Sequence, residues 1–166
     1  NPEELVESID YYFSNFDVII GKYGLEKIKT VGDAYMCAGG LPFPSDDHVH
    51  RISLAALEIV DFVEETMNSE VHKLAKFDIR VGINTGPVIA GVVGTKKFSY
   101  DIWGDTVNVA SRMESSGEIG NVNISESTYN LLKGHQEFKF ESRGAIEAKG
   151  KGEIKMYFVS HRALTQ

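Results

Sequence analysis

Cysteine is almost missing from this sequence, with Cys37 standing alone among 166 residues. A lone thiol excludes an internal disulfide and any zinc site built from several cysteines. A reducing, cytoplasmic setting is the simplest expectation. Positive charge is also in short supply: 17 Lys and Arg face 24 Asp and Glu, a net of −7. That balance argues against a nucleic-acid partner, because such proteins lay a basic footprint over phosphates. It leaves room for a small anionic substrate, whose site needs only a few local cations or metal ions. No apolar run approaches the ~20 residues that span a bilayer, and the N-terminus lacks the basic-then-apolar pattern of a signal peptide. Internal repeats and low-complexity linkers are absent. The first residue is Asn rather than Met, so a longer parent is expected, in which membrane or regulatory domains can sit outside this stretch.

What is present reads as one folded domain spanning residues 1–166. Hydrophobic residues at 42% and charged residues at 25% exclude intrinsic disorder. Asn1 can cap a helix that Pro2, Glu3 and Glu4 open. Leu5, Ile9, Tyr12, Phe13, Phe16, Ile19, Ile20 and Tyr23 then recur at helical spacing, and Gly24 stops the run. Lys27–Val31 and Ala34–Ala38 read as strands of a hairpin around Gly32-Asp33. A long helix is predicted from Asp46 or Asp47, with Ile52, Ala55, Ala56, Ile59, Val63 and Met67 facing inward. Alternation over Phe77, Ile79, Val81 and Ile83 predicts a half-buried strand, and Val88–Val93 another. A short helix runs from Asp105 or Thr106 to about Glu114. Val122–Ile124 reads as a strand, and Ser125 can cap a helix through Leu132. The tail reads as strands at Glu137–Glu141, Ile146–Ala148 and Ile154–Val159. Mixed helices and hairpins make the class α+β, with a mainly antiparallel sheet.

Three sets of polar residues invite a chemical reading. Asp33 at the hairpin tip is a cheap turn former, or a carboxylate held for a hard cation such as Mg²⁺, which takes one or two carboxylates plus phosphate oxygens. Asn108 and Arg112 lie four apart and share a helix face. They are a solvated pair, or an amide and a guanidinium set against the charge of a transferring phosphoryl group. Lys149-Gly150-Lys151-Gly152 is an exposed loop, or a point charge for a terminal phosphate with glycines that let the backbone approach.

Lys27-Ile28-Lys29-Thr30-Val31-Gly32-Asp33-Ala34-Tyr35-Met36 resembles a hairpin of the class III nucleotidyl cyclase catalytic domains. Arg80-Val81-Gly82-Ile83-Asn84-Thr85-Gly86-Pro87-Val88 resembles a second stretch of that family. A third, Tyr100 through Glu114, is long and specific, and Lys149–Gly152 with Tyr157-Phe158-Val159 completes the likeness.

The resemblance implies a ferredoxin-like, palm-like sheet flanked by helices, and a head-to-tail dimer, here a homodimer, with sites shared between two cyclase domains. By position, Asp33 matches a metal-binding aspartate for one of two Mg²⁺ or Mn²⁺ ions. Lys29 and Asp101 match the pair that reads the purine, and Asn108 the residue that orients the ribose. Arg112 matches the transition-state arginine, and Lys149 the lysine on the terminal phosphates. The implied reaction is attack of the ribose 3′-oxygen on the α-phosphorus with loss of pyrophosphate. One metal would favour the 3′-alkoxide and the other would neutralise the triphosphate; positioning and charge stabilisation supply most of the acceleration.

Base choice follows from hydrogen-bond polarity. Adenine offers an acceptor at N1 and a donor at its 6-amino group, which Lys29 and Asp101 complement. Guanine reverses both, and buried mismatched polar groups can reject an analogue by roughly 10⁴-fold. Guanylyl cyclases of the family tend to have Glu and Cys at these places, so ATP is the expected substrate and cyclic AMP the product.

Two departures stand beside the likeness. The family strand reading roughly Phe-x-Asp-Ile-x-x-Phe-Thr, with the first metal aspartate, is absent from the chain, so residues 1–166 alone are expected to be inactive. Pro87 stands where some cyclase halves have arginine, so no phosphate role is assigned there. The alternatives are a non-catalytic module that dimerises with an active partner, or a guanylyl cyclase. A diguanylate cyclase would need a Gly-Gly-Asp/Glu-Glu-Phe signature, and none occurs.

Overall fold

Pro2, Glu3 and Glu4 open helix α1 (Pro2–Lys22), as their preference for a helix N-terminus predicts. The computed structural model describes residues 2–69 and 76–163, so the expected cap Asn1 lies outside the described residues. The chain groups into two units, Asn1–Ile79 and Arg80–Gln166.

In the first unit α1 is followed by β1 (Glu26–Val31), β2 (Ala34–Ala38) and α2 (His48–Asn68). The predicted stripe buries Tyr12, Phe16, Ile19 and Ile20 against Ala55, Ile59 and Val63 of α2. Each fully buried large apolar side chain contributes about 1.5–3 kcal/mol relative to exposure. The stripe's first turn is not covered: Leu5 is 45% exposed. Ile52 and Met67 are only partly buried, at the margin of the same core. Arg51 donates to the Tyr23 carbonyl at 2.8 Å and pairs with Asp47, fixing the link between α1 and β1.

Phe77 and Ile79 do not extend a strand, which begins only at Val81. Both pack on the core of the first unit, and the Phe77 N–H donates to Tyr12 Oη at 3.4 Å. Their alternation reflects this packing rather than sheet pairing.

The second unit runs β3 (Val81–Ile83), β4 (Ile89–Val93), β5 (Ser99–Trp103), α3 (Asp105–Ser115), β6 (Val122–Ser125), α4 (Glu126–Leu132), β7 (Phe138–Ala148) and β8 (Gly152–His161). Four strands form a sheet ordered β3-β6-β8-β7, and β4 pairs with β5 in a separate ribbon. β3 and β6 are parallel, whereas the β6–β8 and β7–β8 pairings are antiparallel. A parallel pair needs a crossover, and α3 lies within it, burying Val109 and Met113 against Met156. The α+β class with mainly antiparallel pairing is therefore what forms.

Two further strand assignments differ from what the sequence predicts. Ser99–Trp103 forms a strand that the reading does not assign, opposite Ile89–Val93. The two predicted strands at Glu137–Glu141 and Ile146–Ala148 are one, because a register shift between Ser142 and Gly144 absorbs the irregularity without ending the ladder. Among the described residues β2 pairs only with β1, and β3 only with β6. No helix among them is long and apolar enough to cross a membrane.

Candidate active site

The first unit holds Lys29 and Asp33 on one hairpin. Lys29 is exposed on β1 opposite Met36, immediately after a register shift at Ile28. Gly32 takes φ +59 at the first turn position and Asp33 a negative φ, the combination that joins twisted antiparallel strands tightly. Asp33 is therefore exposed at the tip, and among the described residues its carboxylate has no hydrogen-bonding or ionic partner. An open carboxylate on a rigid turn fits a single protein ligand to a hard divalent cation.

The hairpin is braced to α1. Tyr35 Oη donates to Asp17 Oδ1 at 2.6 Å, and Lys27 Nζ lies 3.0 Å from the same carboxylate. Burial, then the hydrogen bond to Asp17, pushes the Tyr35 hydroxyl above its ordinary range, so it remains a neutral donor. Burial also pushes the Cys37 thiol up to about 12, which removes it as a nucleophile near neutrality.

The second unit holds the other four predicted residues. Asp101 lies on β5 opposite Gly91, and its Oδ1 accepts the Ile102 N–H at 2.8 Å. The chain enters α3 through Gly104 at φ +123, a conformation that glycine tolerates and other residues rarely adopt. Val109 and Met113 anchor one side of α3 in the core. The helical period then puts Asp105, Asn108 and Arg112 together on another face, where Asn108 and Arg112 are exposed.

That face meets the β7–β8 turn. Arg112 Nη2 donates to the Glu147 carbonyl at 3.3 Å, and Lys151 Nζ lies 3.4 Å from Asp105 Oδ2. Lys149 falls between these two contacts along the turn and is exposed. Asn108, Arg112 and Lys149 thus belong to one local helix–turn surface. Asp105 and Lys151 are participants that the sequence reading leaves without a role. Their motifs contain them, but only the folded turn shows that they pair.

The second unit thus carries an amide, a guanidinium and a lysine on one helix–turn surface, and the first unit carries an exposed aspartate at a hairpin tip. The chain belongs to the adenylate and guanylate cyclase catalytic domain family, which it matches over residues 1–161. It is 40% identical over 161 residues to an adenylate cyclase of Mycobacterium tuberculosis, covering 97% of this chain and 35% of that protein. It is 42% identical over 158 residues to the soluble guanylate cyclase subunit beta-2 of Rattus norvegicus, covering 95% of this chain and 23% of that protein. The chain thus spans about a third or less of the relatives it matches.

Solved structures agree on the palm-like fold. The catalytic core of a rhodopsin-guanylyl cyclase with converted specificity, in complex with ATPαS, superposes with a TM-score of 0.88 at 34% identity, covering 98% of this chain and 85% of that one. A dimeric guanylyl cyclase domain from Blastocladiella emersonii gives 0.86 at 31% identity, covering 98% and 86%.

Proposed function

We propose that the chain is the catalytic domain of an adenylyl cyclase, converting ATP to cyclic AMP and pyrophosphate. The observation that carries this reading is the residue pair Lys29 and Asp101 at the positions matching the family's purine readers. An ammonium donates to adenine N1, and a carboxylate accepts from the 6-amino group. Guanine would set donor against donor and acceptor against acceptor.

The rest of the site suits an in-line displacement. The 3′-oxygen gives its proton to solvent water and bonds to the α-phosphorus, while the bond to the β-phosphate bridging oxygen breaks and its electron pair leaves with pyrophosphate. Asn108 orients the ribose. Arg112, one helical turn further on, stabilises charge growing on the α-phosphoryl oxygens. Lys149 holds the terminal phosphates as a point charge. Asp33 would hold Mg²⁺ or Mn²⁺, two ions per site in the full reading, and bound metal would acidify the 3′-hydroxyl and neutralise the triphosphate.

A homodimer with shared sites belongs to the same proposal. The β4–β5 ribbon and its turn leave Ile89 70%, Val92 63% and Phe98 72% exposed, and uncovered apolar side chains of this size suit burial against a second copy. A cytoplasmic setting follows as well, because ATP is available there and the lone thiol stays reduced.

The similarity to a guanylate cyclase subunit favours a second reading, GTP cyclisation. Turnover of ATP and GTP by the full-length protein at matched Mg²⁺ and Mn²⁺ separates the two. A kcat/KM for ATP exceeding that for GTP by at least about a hundredfold is expected. A preference for GTP overturns the adenylyl reading, and no turnover of either supports a regulatory module instead.

A further inference from the structure

We propose that Gly82 and Asn84 form a seat that sets the position of α3, which makes Asn84 a positioning residue for the reaction. This inference rests on the cyclase reading, because α3 carries Asn108 and Arg112.

Groups that act on a reacting centre must be held to within about 0.5 Å of their productive place. A short helix meets that demand only if both of its ends are fixed. Gly82 and Asn84 are two residues apart at β3 and its exit, so they address one face. The two ends of α3 meet them separately.

At the C-terminal end the contact is backbone to backbone. A Cβ on Gly82 would overlap the Glu114 nitrogen and the Met113 carbonyl carbon. No rotamer change relieves such a clash, since the obstructing atoms belong to the helix itself. Glycine at this position therefore sets how closely α3 lies on β3.

At the N-terminal end the contact is a polar tether. Asn84 Nδ2 donates to the Thr106 carbonyl at 3.0 Å, in the first turn of α3 and two residues before Asn108. A carbonyl only accepts, so the amide nitrogen must face it. On the other side Asn84 Oδ1 accepts from Ser125 Oγ at 2.6 Å and lies 2.9 Å from Ser127 Oγ. The amide is thus locked in one orientation by β6 and α4. Thr106 adds a second tie to the same segment through Oγ1, which donates to the Pro87 carbonyl at 2.6 Å. Ser125 stands at the N-cap of α4, yet its side chain makes no capping bond there. Its hydroxyl serves the tether instead.

These protein partners engage both ends of the Asn84 amide, so the residue acts on substrate only through the helix it holds. Asn84→Asp keeps the shape but turns a carboxylate oxygen toward the Thr106 carbonyl. In the full-length protein this variant is expected to lose about tenfold to a hundredfold in kcat, with KM for nucleotide changed by less than about threefold. Amide hydrogen exchange should quicken in the first turn of α3 while the remainder of the domain keeps its protection. Because part of the effect of Asn84 runs through Arg112 on α3, adding Asn84→Asp to Arg112→Ala should cost less than it costs alone.

Unchanged protection of α3 in Asn84→Asp would overturn the seat. Lost protection with normal kcat, or losses that simply multiply in the double variant, would overturn the positioning role. Normal turnover by Arg112→Ala would remove the proposed reaction role of Arg112, and the positioning of it with that role, a failure distinguishable by the single variant alone. Gly82→Ala is a second probe; if it folds, it should lower kcat in the same pattern, and wild-type kinetics there would also count against the seat.

Discussion

Arg112 Nη2 donates to the Glu147 carbonyl at 3.3 Å, two residues before Lys149, so the face of α3 that carries Asn108 and the β7–β8 turn are tied by a direct bond. The Asp105–Lys151 contact repeats the tie about two helical turns nearer the start of α3. A helix and a hairpin distant in sequence thereby present one surface.

Base selection tests Lys29 and Asp101. Lys29→Glu with Asp101→Cys should weaken ATP turnover and admit GTP, because the hydrogen-bond polarity of the purine site is inverted. Lys29→Glu alone should mainly damage ATP turnover, since two carboxylates then face one purine. Product analysis by chromatography reads the outcome, and an unaltered ATP preference in the double variant would remove this pair from base recognition.

Shared sites are tested by complementation. Asp33→Ala and Arg112→Ala proteins should each be nearly inactive. Mixing them should restore part of the activity, because one of two composite sites regains both groups. Absence of recovery, despite mixed dimers demonstrated by differential tagging, would count against sites formed between two copies.

Residues 1–166 by themselves are expected to make cyclic AMP far more slowly than a longer chain that supplies the Phe-x-Asp strand. Asp33 provides one carboxylate where two metal ions are proposed, and β2 and β3 each pair on a single edge among the described residues. Equal specific activity of the two proteins would sink this expectation.

Arg143 carries a stability prediction. Its Nη1 donates to the Ser116 carbonyl at 2.7 Å and to Asn123 Oδ1 at 3.1 Å, and its guanidinium lies 4.1 Å from the Phe158 ring centroid. Asn123 is fully buried, so Arg143→Ala strands its amide oxygen. Loss of about 2–4 kcal/mol in urea unfolding is expected. A change below about 0.5 kcal/mol, the range of an ordinary surface substitution, would show that water replaces the guanidinium.

Acid sensitivity is expected at Glu58. The hydrogen bond from Lys22 Nζ at 2.6 Å, partly offset by burial and aided by Tyr23 Oη, holds its carboxyl below the ordinary range. The folded state thus binds this proton less readily than the unfolded chain. Its contribution is present above the unfolded pKa and is lost as pH falls through the folded one. The pair is largely solvent-facing, so the effect is small. The stability difference between the native protein and Glu58→Gln should hold from pH 7 to about pH 5 and shrink below about pH 4. A constant difference throughout would exclude the linkage.

Local chemistry made several elements legible in advance. The stripe from Tyr12 to Ile20 and that from Ala55 to Val63 bury as the helical period requires, and Gly32-Asp33 forms its turn because glycine supplies the positive φ. Ser99–Trp103 is less legible, since a five-residue alternation containing Asp101 gains strand character only by pairing with β4. Phe77 and Ile79 mislead for the opposite reason: alternating burial against helices looks like a strand.

For the candidate site, the motifs by themselves determined the family resemblance, from which the proposed roles come. Lys29 and Asp101 within their motifs, an amide and a guanidinium one helical turn apart, and a glycine-flanked lysine are properties of the chain before it folds. Only the tertiary structure decided how those groups are held. Glu147 meeting Arg112, Lys151 meeting Asp105, and Asn84 meeting Thr106 join residues 22 to 46 positions apart. No local propensity encodes such contacts, because they form when the sheet carries β3, β6 and β7 beneath one helix and the backbone of α3 settles into the space that Gly82 leaves empty.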